Sequence, residues 1–269
     1  MDSLLISDAE RFFIIQGTEL GCRLDGRSEK DYRPVEVMTG ILNHSAGSAR
    51  VKLGGTSVVS CVTIEIGSPS FDQPHQGRLI IDVECSPTAT PKFSGKSGSE
   101  IADSLKATLS SAFTPGCLPL ELLCIQPGKQ CWVLYVDLLL LESDGNLLDA
   151  ASLAIVAAVR TLKLPSSLSS KIPDGNLSTK NVPLFVTVHK IGNAFVVDAT
   201  REEEACSLSR VLVSITADGT LTSLIKEGCG SLQVDTLLDM VEVGLTLGKE
   251  MHSALQTAIA HERSLRSQS

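Results

Sequence analysis

The sequence predicts an α+β protein in which a set of strands followed by helices occurs twice along the chain. Runs rich in Val, Ile and Thr predict strands, and segments with apolar residues three or four positions apart predict helices. Residues 164–180, which are rich in Ser, Pro and Lys, separate the two sets and are interpreted as a linker or loop. The helices are few and follow groups of strands, whereas a regular series of parallel βαβ units would alternate strands and helices. We therefore expect two α+β layers related by a pseudo-repeat.

Both sets can be placed on the sequence element by element. In the first set, helices are predicted over 3–16, 97–113 and 147–162, and strands over 35–38, 48–53, 57–67, 78–84 and 132–141. In the second set, strands are predicted over 183–190, 194–198, 207–216 and 221–226, and a long helix over 234–263. The glycines at 54 and 55 indicate a tight hairpin between two strands of the first set.

Composition and charge limit the classes of function. A chain of 269 residues that is 43% hydrophobic can bury a large core, as one domain or two closely packed ones. A protein that binds nucleic acid on its own presents a basic face, whereas this chain has a net charge of −8. Contact with RNA or DNA is therefore expected only through a small local patch or within a larger assembly.

Cysteine and histidine spacing predicts neither a metal site nor a secreted protein. The eight cysteines include no CxxC pair and the five histidines have no zinc-ligand spacing, so we expect reduced thiols in an intracellular protein, no metal and no cofactor. The N-terminal segment carries Asp2, Asp8 and Glu10 and does not have the pattern of a signal peptide. The longest apolar stretch, around 138–141, is far too short to cross a membrane.

Four carboxylates directly follow a predicted strand. They are Asp198, Glu202, Glu203 and Glu204, and the apolar run 194–197 precedes them. Such a cluster at the end of a strand is typical of a metal site or a general acid, and it is equally typical of an ordinary charged turn. The cluster alone leaves both interpretations open.

Five groups of residues between about 20 and 255 form a recognisable pattern. They are RLDGR at 23–27 with Tyr32-Arg33, GSARV at 47–51 with LGGT at 53–56, CWVLYVD at 131–137, DGNLLDA at 144–150, and VVDAT at 196–200 with the glutamates 202–204. In this order they resemble the RNase PH family, and in detail the eukaryotic exosome ring subunits that correspond to the non-catalytic ring subunit of archaea. The resemblance implies an RNase PH-like fold (ribosomal protein S5 domain 2-like) with two pseudo-repeated βαβα halves. It divides one compact unit into an N-terminal helix and arm (1–30), a first half (31–165) and a second half with a long C-terminal helix (181–265).

The resemblance also names the positions at which catalysis would occur. Active members use phosphate to release nucleoside diphosphates from the 3′ end of RNA, and their two catalytic aspartates match Asp198 and Glu204 here. Their phosphate-binding arginine corresponds to Leu148, and Asp149 follows it. Leucine cannot donate a hydrogen bond, and we expect the Asp149 carboxylate to repel a phosphate dianion by about 1–4 kcal/mol. The resemblance thus implies a remnant site whose phosphate clamp is lost.

The segment that grips RNA in active members is also altered. Where they have two arginines, this chain has Lys96 and Asp103, and lysine lacks the planar fork of arginine. Lys92 and Lys96 are the candidates for contact with RNA phosphate, and two solvated loop lysines are the alternative.

Three further polar positions are interpreted as structural. Asp25 and Arg27 are expected to form a turn with its ion pair. His189, in an alternating strand with no Cys or Ser nearby in sequence, is not expected to act as a base. Asp137 is interpreted as a buried, paired carboxylate at a subunit contact.

Three functions are compatible with these residues. The preferred one is a non-catalytic subunit of the hexameric exosome ring, which forms part of the RNA channel and binds other RNase PH-like ring subunits and cap subunits in a hetero-oligomer. The resemblance places such a complex in nucleus, nucleolus and cytoplasm. The alternatives are an active phosphate-dependent 3′-exoribonuclease using Asp198 and Glu204, and a stand-alone RNA-binding module.

Overall fold

The computed structural model describes residues 6–90, 93, 95–113, 116–165 and 177–266. Its helices are α1 (Asp8–Glu19), α2 (Lys96–Ala112), α3 (Leu147–Arg160), α4 (Arg201–Cys206) and α5 (Val234–Arg266). Its strands are β1 (Val35–Thr39), β2 (Gly47–Leu53), β3 (Thr56–Gly67), β4 (Arg78–Cys85), β5 (Cys124–Gln126), β6 (Gln130–Glu142), β7 (Leu184–Ile191), β8 (Ala194–Val197), β9 (Ser209–Ile215) and β10 (Leu221–Glu227). In this part of the chain, no helix is long and apolar enough to cross a membrane.

The first half is a six-stranded sheet in the order β1-β2-β3-β6-β4, with β5 added to β6. All neighbours pair antiparallel except β4 and β6, which are parallel. A parallel pair needs a crossover connection, and α2 lies in the connection between these two strands. The alternate residues of β2, Ala49, Val51 and Leu53, are buried, so this sheet has one face in the core.

The second half is a four-stranded antiparallel sheet in the order β10-β9-β7-β8. Between the two sheets lies α3, whose residues 148–159 are all buried. Five of its residues are alanines, which let the helix approach strands of both halves closely. The core is therefore shared by the two halves along α3.

The α+β class predicted from the sequence is confirmed, and most predicted bounds lie within three residues of the observed ones. In the second half, the short helix α4 interrupts the segment between β8 and β9, where only a strand from 207 was predicted. At the N-terminus, α1 begins at Asp8 because Ser7 and Glu10 form a capping box, in which each side chain accepts from the other residue's backbone N–H. Residues 3–5 of the predicted helix and 166–176 of the predicted linker lie outside the described residues.

Two glycines of α5 let this helix pack directly on the second sheet. A Cβ atom at Gly244 would lie 2.7 Å from Cγ2 of Val213, and one at Gly248 would lie 2.7 Å from Cγ1 of Ile215. Because no real Cβ comes this close, any side chain at either position forces the helix away from β9.

We therefore expect Gly248→Ala to lower the free energy of unfolding by about 1–3 kcal/mol, as measured by urea denaturation. The direction of the change in the free energy of unfolding is informative, because a Gly-to-Ala change in an unobstructed helix raises stability by about 1 kcal/mol. Thr246→Ala on the exposed side of α5 is the control and should change stability by less than about 0.5 kcal/mol. A stabilised Gly248→Ala protein would contradict the close packing of α5.

Candidate active-site remnant

The predicted carboxylates lie where the two halves and the N-terminal arm meet. Asp198 directly follows β8, and Glu203 and Glu204 belong to α4. Opposite them is the turn Gly145–Asn146 that leads into α3. Asp198 and Asn146 both have positive φ angles, of 45° and 55°, and Asp and Asn are the residues other than glycine that tolerate this region best.

Asp198 is fully buried and its carboxylate is enclosed by donors. Arg33 binds it in a fork, with Nη2 at 2.8 Å from Oδ1 and Nε at 2.9 Å from Oδ2, and the Arg33 backbone N–H donates at 2.7 Å. Arg27 Nη1 and Asn146 Nδ2 donate at 3.0 and 2.8 Å. Burial alone would raise the pKa of Asp198, but the hydrogen bonds and charge of Arg33 outweigh it and hold the pKa below its usual value. The carboxylate is thus ionised and fully occupied.

Arg23 of the N-terminal arm makes a second buried pair beside it. Its Nε and Nη2 donate to the two carboxylate oxygens of Glu203 at 2.9 and 2.6 Å, and Nη2 also donates to the Asp198 carbonyl at 2.9 Å. Arg27 carries the predicted ion pair with Asp25, at 2.6 Å, so the structural interpretation of that pair is confirmed. Arg23 and Arg27 therefore fasten the arm to the segment 197–203, and Arg33, at the start of the first half, binds Asp198 in the same segment.

The Glu204 side chain has different surroundings from that of Asp198, because it lies on a small pocket. One of its carboxylate oxygens accepts from the Asn146 backbone N–H at 2.8 Å, and burial raises its pKa above the usual value. Glu204 lines a small pocket together with Leu148, Arg210 and Glu227. The guanidinium of Arg210 donates to Glu227 at 2.6 and 2.9 Å, so the cation of this pocket is already paired.

Leu148 and Asp149 lie on different sides of α3. Leu148 lines the pocket, whereas the Asp149 side chain is completely buried. Asp149 accepts from Thr187 Oγ1 at 2.7 Å, from the Thr187 N–H at 3.1 Å, from Tyr32 Oη at 3.0 Å and from Asn146 Nδ2 at 3.1 Å. The Asp149 carboxylate is thus hydrogen-bonded inside the protein, and its repulsion of a bound phosphate dianion stays a prediction.

The buried position of Asp149 changes its titration. Burial raises the pKa of Asp149 to about 6, although its four hydrogen bonds act in the opposite direction. The carboxyl group contacts the beginning of the first half through Tyr32, the start of α3 through Asn146 and the second sheet through Thr187. It is a structural contact between the two halves.

The remaining predicted positions differ in their surroundings. Lys96 is an exposed residue at the start of α2, and Lys92 lies outside the described residues. His189 is buried, burial lowers its pKa to about 3, and neither ring nitrogen has a partner among the described residues. Asp137 is exposed in the single chain and no ion pair of the described residues includes it, so its interpretation as a buried, paired carboxylate at a subunit contact stays a prediction. Over the same residues, no group of His, Cys, Asp and Glu could hold a metal ion.

Arg23 and Arg33 belong to one of the five recognised groups of residues, but the sequence predicts no contact for either of them. Three arginines lie within eleven residues, at 23, 27 and 33. Because arginine is almost never fully buried without a partner, this spacing could have indicated that the segment pairs with carboxylates elsewhere in the chain. Their partners lie about 165 to 180 positions away, so the sequence alone could not pair them.

Comparison with known proteins identifies the family. The models of the 3′ exoribonuclease family match residues 31–165 (domain 1) and 181–246 (domain 2). The exosome complex component Rrp42 of Methanocella arvoryzae is 33% identical over 257 residues, which cover 95% of this chain and 97% of that protein. Rrp42 of Aeropyrum pernix is 36% identical over 249 residues, which cover 89% of this chain and 90% of the relative.

A solved structure gives the same result in three dimensions. A chain of the Archaeoglobus fulgidus exosome with RNA bound to the active site superposes with a TM-score of 0.82 and 28% identity, covering 92% of this chain and 98% of that one. Fold, motifs and relatives agree over nearly the whole length of the sequence. The chain therefore belongs to the RNase PH family of 3′ exoribonuclease domains.

Proposed function

We propose that this chain is a non-catalytic subunit of the RNase PH-like ring of an RNA exosome, which supports 3′→5′ RNA processing and degradation. The observation that carries the proposal is the occupation of Asp198 by Arg33, together with the apolar Leu148 at the phosphate position. A subunit of such a ring can lose catalytic activity and keep its fold, because it still contributes buried interface and part of the channel wall to the complex.

The chemistry of phosphorolysis explains why these two features matter. The attacking phosphate is a dianion beside a phosphodiester, so it needs a free cation or several donors. In the pocket, Arg210 is neutralised by Glu227, and Glu204 adds a carboxylate that opposes anion binding. A general acid must also release its proton to the leaving 3′ oxygen, but the ionised Asp198 carries none and its oxygens are hydrogen-bonded.

The relatives support the choice of complex. They are named exosome components, and one structural neighbour is an exosome with RNA bound to the active site. We propose accordingly that this chain assembles with other RNase PH-like ring subunits and cap subunits, and that RNA reaches it through the assembled channel. The proposed places of action are nucleus, nucleolus and cytoplasm.

The second candidate is an active phosphate-dependent 3′-exoribonuclease. The observation that favours it is Glu204, whose raised pKa and position on a pocket suit a general acid. Under this hypothesis, Glu204 acts on the leaving group and phosphate binds by an unfamiliar set of donors.

A phosphorolysis assay separates the two candidates. The purified chain, alone and with its ring neighbours, is incubated with single-stranded RNA, Mg²⁺ and inorganic phosphate, and nucleoside diphosphates are measured. We expect none from the chain alone, and we expect Glu204→Gln to leave the product yield of the assembled ring unchanged. Glu204→Gln keeps Asp198 and its arginines intact, so a loss of products would come from chemistry and would favour the second candidate.

Lys92 and Lys96 are the proposed RNA contacts of this subunit. Replacing both by Ala should weaken RNA binding by the assembled ring, and the slope of log affinity against log salt should fall by about 0.7 for each lost phosphate contact. Lys226→Ala on β10, whose ammonium group donates to the Gly228 carbonyl, is the control. Equal slopes for the double variant and the unmodified ring would contradict RNA contact at these lysines.

A further inference from the structure

Two cysteines lie opposite each other on the short β5–β6 hairpin. Cys124 of β5 is the direct register partner of Cys131 of β6 in an antiparallel pair. Directly opposed residues of antiparallel strands have Cα atoms about 4.5–5.5 Å apart, which lies within the range of about 4.4–6.8 Å that disulfides span. All eight cysteines are free thiols in this structure. The pair is therefore reduced, but its backbone positions suit a disulfide.

A β-bulge creates this pairing. Gln126 pairs with Gln130, and the next pair is Cys124 with Cys131, so Ile125 is an extra residue on β5. In a regular ladder that starts from the same first pair, Ile125 would lie opposite Cys131. Bulges of this kind redirect a side chain within a sheet. The extra residue here brings the two thiols to facing positions.

The turn between the two strands holds the register. Pro127 and Gly128 are the residues that a type II turn prefers at its two central positions, and Gly128 has a φ of 71°. The Lys129 N–H closes the turn by donating to the Gln126 carbonyl at 3.0 Å. The Gly128 N–H donates to the Pro74 carbonyl at 2.9 Å, which ties the turn to the preceding part of the chain. The pairing of the cysteines is therefore fixed by contacts outside the pair.

The two thiols differ in their surroundings. Cys131 is fully buried, whereas Cys124 is partly exposed. The partner of Cys131 on the other neighbouring strand is Gly67, which has no side chain. Burial raises the pKa of Cys131, Arg78 opposes this shift, and a negative charge on Cys124 adds to it. A reagent from solution therefore reaches Cys124 first, and Cys131 is the thiol placed to react second.

We propose that Cys124 and Cys131 form a reversible disulfide when the chain reacts with a small-molecule disulfide such as oxidised glutathione. The Cys124 thiolate attacks one sulfur of the reagent, which forms a mixed disulfide and releases one glutathione thiolate. The Cys131 thiolate then attacks the Cys124 sulfur and releases the second. The released thiolates take up the two protons that the cysteines lose. Two protein thiols are thus oxidised, and one glutathione disulfide is reduced to two thiols.

The geometry favours a bond that is easily reduced. Cβ atoms of directly opposed residues are about 4.5–5.5 Å apart, whereas a disulfide needs about 3.5–4.5 Å. The strands must therefore approach each other by up to about 1 Å, and strained disulfides are reduced more readily. The bond fastens β5 to the sheet covalently, in addition to its two register pairs with β6.

Peptide mapping tests the bond without any substitution. The full chain is incubated at about pH 8 with mixtures of oxidised and reduced glutathione, and free thiols are blocked with iodoacetamide. Trypsin cuts at Lys129, and a glutamate-specific protease cuts at Glu121, which separates Cys124 from Cys117. Mass spectrometry should find the Cys124 and Cys131 peptides joined and lighter by the two thiol hydrogens. Their amount should rise with the share of oxidised glutathione and fall to zero in reduced glutathione alone.

Removal of each thiol separates the two roles. In Cys131→Ser the mixed disulfide has no second thiol to resolve it, so one glutathione should remain on Cys124. In Cys124→Ser the buried Cys131 should stay a free thiol. Cys229→Ser removes an exposed cysteine elsewhere and should leave the yield of the joined peptides within about twofold of the unmodified chain.

The unmodified chain decides the proposal, so a variant that fails to fold leaves the test intact. Joined peptides that separate on reduction support the proposal. Free thiols at both positions overturn it when Cys22 and Cys229, which are exposed, carry glutathione in the same sample. A glutathione that persists on Cys124 of the unmodified chain also overturns it. The bond involves neither RNA nor a partner chain, so the result is independent of the proposed role in RNA processing.

Discussion

Asp198→Asn is expected to lower the free energy of unfolding by about 3–5 kcal/mol, because it removes the buried counter-charge that Arg27 and Arg33 share. Asparagine keeps the shape of the side chain and tolerates the positive φ of this position, so the change isolates the charge. Arg33 loses one of the two acceptor oxygens of its fork together with the negative charge, and Arg27 loses one of its two carboxylate partners. The measurement is chemical denaturation at neutral pH.

Asp25→Asn is the matched control, since Asp25 pairs with the same Arg27 but is partly exposed. A partly exposed pair contributes at most about 1 kcal/mol, so this variant should remain close to the unmodified protein. Equal effects of the two changes would show that Asp198 does not hold the arm. The result also bears on assays of function, because loss of RNA processing in an Asp198 variant would then reflect lost folding.

The pH dependence of Asp198 has a definite direction. Its pKa is lower in the folded chain than the ordinary value of 3.8, so the folded state binds fewer protons than the unfolded state in acid. Its stabilising contribution is present above pH 3.8 and is lost as the pH falls through the folded pKa. Asp198→Asn should therefore remove part of the acid-induced loss of stability.

The sequence predicted the elements well because their signals are local. The alternation of apolar residues in β2 and the long apolar run of β6 can be identified from the sequence without knowing which strands they pair with. The helix α4 was missed because six residues that begin with Arg201 and three glutamates have the composition of a charged turn. Short helices depend on their tertiary contacts, here the capping of Thr200 and the pair of Glu203 with Arg23.

The sequence indicated the candidate carboxylates but not their contacts. Asp198 directly follows β8 and Glu204 belongs to α4, and long-range pairs with Arg27 and Arg33 occupy the Asp198 carboxylate. Leu148 and Asp149 are successive residues of a helix that is buried on all sides, so its sequence has no polar face from which its rotation could be predicted. The structure shows that Leu148 lines the pocket, whereas the Asp149 side chain is fully buried and accepts a hydrogen bond from Thr187 on β7.

The stability that Asp149 contributes should depend on pH in the opposite direction to that of Asp198, and over a different pH range. Its pKa is about 6 when folded and 3.8 as the ordinary value, so between these pH values the folded state binds more protons than the unfolded state. Stability from this group is fully present below about pH 4 and falls as the pH rises to about 6. A difference of about two pKa units corresponds to about 3 kcal/mol.

We expect Asp149→Asn to remove this dependence, as measured by urea denaturation at a series of pH values from 4 to 7. Tyr32→Phe is the control, because it keeps the carboxyl group and removes the hydrogen bond from Oη, which lowers the pKa of Asp149. In that variant the fall in stability should persist and extend to higher pH. If stability between pH 4 and 6 is the same function of pH in Asp149→Asn and in the unmodified chain, Asp149 does not titrate in the buried network, and its carboxylate must reach solvent.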